Sequence, residues 1–332
     1  MSESLPTVSV IIPTRPGQSE IAAVAAARKL DYPKDKLEII VARGRQPSVQ
    51  RNAAIKKAAG EIIYFLDDDS VPLPGNLRRA ITHFANPDVK MVGGPNVCPP
   101  NAPLIEQRFA LTMGNWLAFG PSRARYIPVG TSRESGEKEL ILCNLLARRD
   151  TLTELGGFNE SLYPNEENAL MDEIQKRGGK LIYDPELFIF RRPRPTFAAF
   201  TKMLMTYGRG RAEQFRLHPT IGSAANFVPP LFCLFLLGCA GMPFFDPLIA
   251  RIYEGILVFY CLVVYFSAFA SYASCVTRGK GNIRPGTSFV VAFLIFWTHV
   301  MYGLGFWRGL FTSPKPPPQE ISSEVTVEKM TH

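Results

Sequence analysis

The stretch of sequence that most constrains the fold is residues 60–70, which read GEIIYFLDDDS. Five apolar residues, 62–66, stop abruptly at three adjacent carboxylates, Asp67, Asp68 and Asp69. A continuous run of β-branched and aromatic residues fits a strand that is covered on both faces. In open α/β sheets, ligands bind beyond the carboxyl ends of such strands. The stretch therefore predicts a buried strand that ends at a binding edge of a sheet.

Three adjacent carboxylates also have a chemical implication. Their negative charges repel one another unless a hard cation neutralises them. In proteins, Mg²⁺ or Mn²⁺ is usually held by one or two carboxylates, with room left for substrate phosphates. A solvated acidic turn that caps the next helix explains the same three residues equally well. The choice between a metal site and a cap depends on the rest of the chain.

The residues before position 60 predict alternating strands and helices. Residues 7–12 and 37–41 are β-branched runs typical of strands, and the alanine-rich residues 19–30 between them predict a helix. Ser48 is placed to cap a second helix at residues 49–59. Strands that alternate with helices indicate a parallel, right-handed βαβ sheet. The predicted fold class is α/β, with a nucleotide-binding half-fold as the natural candidate.

The middle of the chain continues this pattern. Residues 75–84 predict a helix, residues 90–93 and 139–147 predict strands, and a further helix begins near Tyr163 and ends near Gly178. Glu166 and Glu167 lie in the first turn of that last helix. Carboxylates there are stabilised by the helix dipole, so this stretch alone leaves helix stabilisation and catalysis equally open.

Residues 226–311 have a different composition. They contain three apolar stretches, residues 227–245, 252–275 and 288–310, each long enough to cross a hydrocarbon layer of ~30 Å. We therefore predict three transmembrane helices after a large polar head. Residues 196–216 predict an amphipathic helix at the membrane interface. The apolar residues 104–119 fit either a bilayer surface or a protein core.

Charge distribution predicts the orientation. The net charge is +8, and Arg278, Lys280 and Arg284 lie between the second and third apolar stretches. The positive-inside rule places that loop and the basic head in the cytosol, so we expect a multi-pass inner (plasma) membrane protein with a cytoplasmic catalytic domain. Three crossings would leave residues 312–332 on the far side, as a disordered tail. The N-terminus does not resemble a secretory signal, and the six cysteines show no disulfide or zinc spacing.

A basic segment adjoins the apolar region. Between Arg191 and Arg216 there are seven basic residues and a single acidic residue, Glu213. Such a segment suits lipid headgroups or a pyrophosphate. Because it lies next to a membrane anchor, we do not expect nucleic acid as a partner.

Five pieces of sequence occur in order along the chain: VSVIIPT at 8–14, QRNA at 50–53, FLDDD at 65–69, GGFNE at 156–160 and the acidic pair Glu166-Glu167. Together they resemble family 2 of the glycosyltransferases, which are inverting enzymes with a Rossmann-like, nucleotide-sugar-binding GT-A fold. The resemblance covers roughly residues 5–215. The layout of the C-terminal half is similar to the succinoglycan type of exopolysaccharide glucosyltransferase. This resemblance implies a GT-A domain at residues 1–225.

The resemblance also implies roles for particular residues. Asp67 and Asp69 match the DxD pair, in which the first contacts the nucleoside and both serve a divalent metal, Mg²⁺ or Mn²⁺. Glu167 matches the base that deprotonates the acceptor hydroxyl, with Glu166 beside it. The residues implied for the nucleotide-sugar pocket are Pro13, Thr14, Arg15, Arg51, Asn52, Asp67 and Asp68. Arg209 and Arg211 are implied to assist the leaving diphosphate or to bind an acceptor phosphate.

The chain departs from this family in two places. Residues 42–45, Ala-Arg-Gly-Arg, replace an Asp-rich turn that helps to bind the nucleotide base, and the base at 167 is Glu rather than Asp. The Gln-x-x-Arg-Trp motif of processive synthases is absent from the sequence. We therefore expect transfer of one sugar from a nucleotide sugar, a UDP-sugar first of all, to a lipid or polyprenyl-diphosphate-linked acceptor. The alternatives are an idle nucleotide-sugar-binding assembly partner and a processive synthase.

Overall fold

The structure, a computed structural model, describes residues 5–160, 166–217, 221–241, 244, 246–277, 284–312 and 325–330. The chain forms two compact units. The first contains residues 1–99, 121–192 and 316–332, and the second contains residues 100–120 and 193–315. Arg278 and Lys280, on which the predicted orientation partly depends, lie outside the described residues. Tyr163, near which a helix was predicted to begin, also lies outside them.

The first unit contains all the described strands and five of the described helices. The strands, numbered along the chain, are β1 (Val8–Thr14), β2 (Leu37–Arg43), β3 (Ile62–Leu66), β4 (Val71–Pro72), β5 (Val89–Gly93), β6 (Asn96–Val97), β7 (Arg133–Ser135), β8 (Asn144–Arg148), β9 (Lys180–Tyr183), β10 (Ile189–Phe190) and β11 (Thr326–Met330). The helices, numbered over both units, are α1 (Ala22–Ala27), α2 (Pro47–Lys57), α3 (Asn76–His83), α4 (Leu104–Met113), α5 (Trp116–Phe119), α6 (Arg149–Glu154), α7 (Glu166–Lys176), α8 (Phe197–Leu217), α9 (Val228–Ala240), α10 (Pro247–Thr277) and α11 (Thr287–Phe311). Short 3₁₀ segments are formed by Lys34–Lys36, Gly120–Arg125 and Ile221–Phe227.

Among the described residues, eight strands form one sheet in the order β11-β2-β1-β3-β8-β5-β9-β7. The expected parallel core is present, since β1 pairs in parallel with β2 and β3, and β5 pairs in parallel with β9. The prediction of a wholly parallel sheet is wrong, however, because β8 runs antiparallel to both β3 and β5. This strand follows a loop and not a crossover helix, so the alternation of helices and strands carried no information on its direction.

The sheet is covered by helices on both faces. Alternate residues of β1 point to opposite sides: Val8, Val10 and Ile12 pack with α1 and α3. Ile11 packs with α2, α6 and α7 on the other side. Side chains alternate between the two faces along a strand, so both cores are filled only when odd and even positions are all apolar. The continuous apolar run of β3 is buried at all five positions, as its sequence predicts.

Helix α2 begins one residue before the predicted cap. Gln46 is the residue before the first turn, Pro47 occupies that turn, and no side chain caps the helix. Proline is well suited to this position, because the first helical N–H groups have no partner within the helix. Ser48 is therefore a buried residue inside the helix and not its cap.

The described part of the tail, residues 325–330, departs from the prediction of disorder. β11 pairs antiparallel with β2, from Thr326 opposite Arg43 to Met330 opposite Ile39. Arg43 Nε lies 3.3 Å from Glu328 Oε1, and Lys329 Nζ lies 2.8 Å from Glu38 Oε2. A strand in the sheet of the head would lie on the same side of any membrane as the head, so this pairing argues against the expected placement across the membrane.

The second unit is helical. α8 packs along α11 with very close backbones. A Cβ on Gly208 would lie 2.1 Å from Tyr302 O, and one on Gly305 would lie 2.3 Å from Met205 O. Glycines that let helices approach in this way are typical of membrane helix pairs. The amphipathic helix expected at 196–216 is therefore formed, and one of its sides is occupied by α11.

Two of the described helices, α10 and α11, are able by length and composition to cross a membrane. The expectation of three such helices is not met, because α9 has only 13 residues, which extend about 20 Å. Its first turn contains Pro229 and Pro230, and it ends at Gly241. Proline and glycine thus limit a stretch whose hydropathy alone predicted a full span.

The apolar residues 104–119 pack within the second unit. The rings of Phe109 and Phe200 stack at 4.3 Å between centroids, and Asn115 Nδ2 donates to Ser271 Oγ at 2.8 Å. Trp116 is 59% exposed. Of the two alternatives for this segment, the buried side chains support packing inside the protein.

Candidate functional site

The acidic loop follows β3 and is held in a tight turn. Ser70 Oγ accepts a hydrogen bond from Asp67 N at 3.2 Å and donates one to Cys143 O at 3.1 Å. The Ser70 N–H donates to Asp67 O at 3.0 Å. This turn fixes the backbone between Asp67 and Ser70, so the carboxylates project at the carboxyl end of β3, as the sequence predicts.

Arg51 on α2 joins the acidic loop to the acidic pair at the start of α7. Its Nη2 lies 3.0 Å from Asp67 Oδ1, and its Nη1 lies 3.2 Å from Glu166 Oε1. The side chains of Arg51 and Glu166 are only 6% and 4% exposed, and Arg51 Nε is buried with no hydrogen-bond partner in the described part of the chain. A buried guanidinium between two carboxylates holds them at fixed positions.

Arg191 binds the outer side of the same loop. Its Nη2 lies 3.0 Å from Asp67 Oδ2, and its Nε lies 2.6 Å from Asp69 Oδ1. Burial disfavours the charge of Arg191, but the nearby carboxylates of Asp67 and Asp69 outweigh this and raise the pKa of its guanidinium above the ordinary value. Asp67 therefore contacts a different arginine with each of its two oxygens.

The remaining charge of this cluster is compatible with a divalent cation. Asp67, Asp68, Asp69 and Glu166 face Arg51 and Arg191, which leaves a formal charge of −2. Burial, followed by the neighbouring carboxylate of Asp69, raises the pKa of the Asp68 carboxyl above its usual value.

No cage of three or more metal-binding side chains is gathered in the described residues. Two aspartates are nevertheless sufficient for the way Mg²⁺ is usually bound, with phosphates and water completing its shell. Asp69, whose side chain is 48% exposed, and Asp67 are the residues that would hold such an ion. The donor set therefore fits Mg²⁺ or Mn²⁺.

The carboxyl ends of β1 and β2 form the neighbouring edge. Gln50 Nε2 donates to Thr14 O at 2.8 Å and to Ala42 O at 2.6 Å, and thereby ties the two strand ends together. Thr14 is 4% exposed and its Oγ1 donates to Gln18 Oε1 at 2.9 Å. Of the residues expected in the nucleotide pocket, Pro13 is a buried partner of Ala42, and Arg15 is exposed just beyond β1.

Asn52 supports the glycine-rich turn that precedes α7. Its Nδ2 donates to Phe158 O at 2.8 Å and to Glu160 Oε1 at 2.9 Å, while its Oδ1 accepts from Phe158 N at 2.8 Å. Gly157 has a positive φ of 82°, and a Cβ there would lie 2.4 Å from Asn52 Oδ1. Both amide hydrogens of Asn52 are therefore used by the turn, which makes Asn52 a support of the site.

The two members of the acidic pair have different surroundings. Glu166 is buried and bound to Arg51. Glu167 is half-buried and makes no ion pair within the described residues. A carboxylate that receives a proton needs a free oxygen within reach of its substrate. Glu167 meets that requirement better than Glu166 does.

The two arginines expected near the leaving group lie on α8, in the second unit. Arg209 Nε is 3.3 Å from Glu213 Oε1, and Arg211 Nη1 donates to Gln214 Oε1 at 3.0 Å. Their contact with a diphosphate stays a prediction.

Three residues of the site were missed by sequence reasoning. Gln50 was noticed only as part of a motif, and Arg191 only as part of a basic segment. Glu328, which pairs with Arg43 at the end of β2, lies 285 positions away along the chain. The unbalanced charge of three aspartates implied that some cation was near, but the sequence did not indicate which one.

Comparison with known proteins identifies the family. The model of "Glycosyl transferase family group 2" matches residues 62–307. Pre-mycofactocin glycosyltransferases of two Mycobacterium tuberculosis strains, CDC 1551 / Oshkosh and H37Rv, are 22% identical over 184 residues, which is 52% of this chain and 36% of each relative. The chain thus spans about a third of the length of these curated relatives.

The chain is similar to two solved structures. The mannosyltransferase PcManGT of Pyrobaculum calidifontis, solved in complex with GDP-Man and Mn²⁺, gives a TM-score of 0.52 at 17% identity, covering 93% of this chain and 88% of its own. TarS 1–349 of S. aureus, solved in complex with UDP, gives 0.43 at 13% identity, with 91% of each chain covered. The first likeness shows that the α/β head has the GT-A type of fold.

The family match includes the acidic loop, the pair at 166–167, Arg191, α10 and most of α11. It covers about three quarters of the chain. The protein therefore belongs to glycosyl transferase family group 2.

Proposed function

We propose that this protein transfers a single sugar from a nucleotide-sugar donor, a UDP-sugar first of all, to a lipid or polyprenyl-diphosphate-linked acceptor, with inversion at the anomeric carbon. The observation that carries the proposal is the Arg51 bridge. One buried guanidinium binds Asp67 of the acidic loop at 3.0 Å and Glu166 of α7 at 3.2 Å. The bridge links the acidic loop to the first turn of α7, and this supports a site in which the loop binds the donor and α7 carries the base.

The reaction is a direct displacement. Glu167 takes the proton of the acceptor hydroxyl, the oxygen forms a bond to the anomeric carbon, and the bond to the diphosphate breaks, so that a nucleoside diphosphate leaves. Asp69 and Asp67 would hold a divalent cation, which would supply charge neutralisation of the diphosphate. Arg51 keeps Asp67 in place, while Arg209 and Arg211 are further candidates to bind the leaving diphosphate or an acceptor phosphate.

The helical second unit supports a membrane-bound acceptor. In its most apolar window of 18 residues, α10 has only 11% of residues buried. Phe259 and Phe266 on this helix are 69% and 64% exposed. A helix that is apolar on its exposed sides is stable in lipid and unfavourable in water. We infer a multi-pass inner-membrane protein with the head in the cytosol, where nucleotide sugars are made.

The absence of a Gln-x-x-Arg-Trp sequence supports addition of one sugar over processive synthesis of a polymer. A role in exopolysaccharide or glycolipid synthesis fits a lipid-linked acceptor.

The proposal is tested with purified full-length protein in nanodiscs. UDP-, GDP- and dTDP-sugars are incubated with Mn²⁺ and a polyprenyl-diphosphate-linked sugar, and both nucleoside diphosphate release and the lengthened lipid are measured. We expect transfer from one UDP-sugar, and loss of transfer by more than about 100-fold in Asp69→Ala. Asp31→Ala, which removes an exposed carboxylate paired with Arg78, serves as the matched control and should retain full activity.

Two outcomes contradict the proposal. Binding of a nucleotide sugar without transfer to any lipid acceptor would leave the acceptor class wrong. Undiminished transfer by Asp69→Ala, or by the wild type in excess chelator, would remove the metal from the mechanism.

A further inference from the structure

The acidic loop contacts two arginines with very different access to solvent. Arg51 is 6% exposed and bridges two carboxylates from the interior. Arg191 is 23% exposed and contacts Asp67 and Asp69 from the outside. A buried bridge stays fixed, whereas a partly exposed guanidinium on a long, flexible side chain is able to leave and return.

The backbone of Arg191 is anchored close to the loop that its side chain binds. β10, which immediately precedes it, pairs antiparallel with β4 and in parallel with β6. β4 begins directly after Ser70, and the Arg191 N–H donates to Val97 O at 3.0 Å. One small sheet therefore holds the end of the acidic loop close to the backbone of Arg191. Any motion of Arg191 is then confined to its side chain.

The guanidinium uses oxygens that a metal ion would use. Arg191 contacts Asp67 Oδ2 and Asp69 Oδ1, and Arg51 occupies Asp67 Oδ1. A divalent cation that binds both aspartates therefore competes with Arg191 for at least one of these oxygens. Once displaced, the guanidinium of Arg191 would be a free cation beside Asp67 and Asp69 and would be able to bind a diphosphate held there, because guanidinium groups bind phosphate oxygens well.

We propose that Arg191 is an internal counter-ion of the acidic loop, which competes with the divalent cation and passes to the donor diphosphate when the cation binds. The proposal rests on the function given above and adds a positioning residue to it. Its consequence is an order of binding: the nucleotide-free protein holds the cation weakly, and the diphosphate strengthens cation binding by taking up the displaced guanidinium.

The test measures metal binding without catalysis. Purified full-length protein is titrated with Mn²⁺ in the absence of nucleotide, and free Mn²⁺ is counted by electron paramagnetic resonance. Arg191→Gln should bind Mn²⁺ about tenfold more tightly than wild type, the effect of one charge-assisted hydrogen bond. Arg192→Gln removes the same charge at the next residue, and its Mn²⁺ affinity should stay within about twofold of wild type.

A second titration separates competition from a structural role. With Mn²⁺ saturating, UDP, and GDP in parallel, should bind Arg191→Gln about tenfold more weakly than wild type, because the diphosphate loses a guanidinium partner. The two effects have opposite signs, whereas a damaged fold would weaken both. Arg191→Lys, which keeps the charge but not the two-pronged contact, should fall between wild type and Arg191→Gln in both titrations.

The inference is overturned if Arg191→Gln binds Mn²⁺ no more tightly than wild type, if no variant binds Mn²⁺, or if nucleoside diphosphate affinity is unchanged. These results are distinct from failure of the proposed transfer. Opposite shifts in the two titrations, together with no sugar transfer to any lipid, would uphold the role of Arg191 and refute the acceptor. Sugar transfer by the wild type, together with unshifted titrations, would uphold the proposed transfer and refute the role of Arg191.

Discussion

Single side chains connect parts of this protein that are far apart in the sequence. Arg51 on α2 joins the acidic loop to α7, 115 positions away, and Asn52, the next residue, supports the turn before that helix. Adjacent residues of a helix point in different directions, so one turn of α2 is able to organise two sides of the site. The Gln-Arg-Asn sequence at 50–52 therefore connects and supports the segments that surround the site.

The identity of the base is testable because Glu166 and Glu167 differ in their contacts. Glu167→Gln keeps the size of the side chain but removes the proton acceptor. We expect near-normal donor binding and a transfer rate reduced by about 10²-fold to 10⁴-fold. Glu167→Asp should keep part of the activity. The measurement is steady-state transfer beside donor affinity for each variant.

Glu166→Gln is the control for this assignment. Because Glu166 is the buried partner of Arg51, its loss should lower thermal stability and donor affinity more than it lowers the maximal transfer rate. Wild-type turnover in both Gln variants would show that neither carboxylate is the base. A loss of turnover confined to Glu166→Gln would move the assignment one residue earlier.

Asp184 stabilises the head through a separate charged cluster. Its side chain is fully buried, Arg79 contacts it at 2.7 Å and 3.0 Å, and His83 Nε2 lies 2.8 Å from it. Burial opposes the charge, but the hydrogen bonds from Arg79 and His83 outweigh this and lower the pKa of the Asp184 carboxyl below its ordinary value of 3.8.

Lowering the pH should therefore weaken the contribution of the Asp184 carboxylate to the stability of the head. A carboxyl whose pKa is lowered by folding stabilises the protein above its unfolded pKa, and the effect is lost as the pH falls through the folded pKa. Asp184→Asn should cost about 1–3 kcal/mol near pH 7, seen as a lower unfolding midpoint. The difference from wild type should shrink below about pH 4. A difference that is constant from pH 7 to pH 3 would refute the role of this ionisation.

At the scale of elements, the sequence predicted the positions of strands and helices along the chain better than the direction and pairing of the strands. The bounds of β3 were predicted to the residue, and α3 and α11 within a few residues, because continuous apolar runs and apolar periodicity directly reflect burial. The antiparallel direction of β8 and the pairing of β11 with β2 were not predictable. Both depend on contacts between distant segments, which hydropathy and local propensity do not encode.

The site shows the same division. The acidic loop and the pair at 166–167 were identified because they form short local patterns. Arg191 lies 122 positions from Asp69, and nothing in its own surroundings distinguishes it from the other arginines of the basic segment. Charge balance indicates that a partner exists, and only the fold selects it.

Close packing of α8 against α11 is an element-scale feature that mutation can test. A Cβ on Gly305 would lie 2.3 Å from Met205 O, so Gly305→Ala should push the helices apart at a cost of about 1–3 kcal/mol. Gly255 on α10 has no atom within 4 Å of such a Cβ, and Gly255→Ala should be neutral or slightly stabilising. Thermal unfolding in detergent compares the two. Equal midpoints for both variants would contradict the close packing.

At the scale of the whole molecule, the pairing of β11 constrains any crossing of a membrane by α10 and α11. The head precedes the apolar helices, and β11 follows them, yet both belong to one sheet. If the head and β11 lie on the same side of a membrane, the segment between them crosses it an even number of times. The lengths of the helices agree, because two of the described helices, α10 and α11, are long enough to cross and α9 is not.

Two crossings by α10 and α11 predict a specific labelling pattern. In a variant with the six native cysteines replaced by serine, single cysteines are placed at Glu20 in the head, Thr326 in β11 and Thr277 at the end of α10, all of which are exposed. We expect an impermeant thiol reagent to label the cysteine at 277 in intact cells, and those at 20 and 326 only after the membrane is opened. The head carries the larger basic excess, which favours its cytosolic placement even though Arg284 then lies on the other side. Labelling of 326 in intact cells would separate β11 from the head and restore three crossings. Protection of all three positions would mean that α10 and α11 do not cross as a pair.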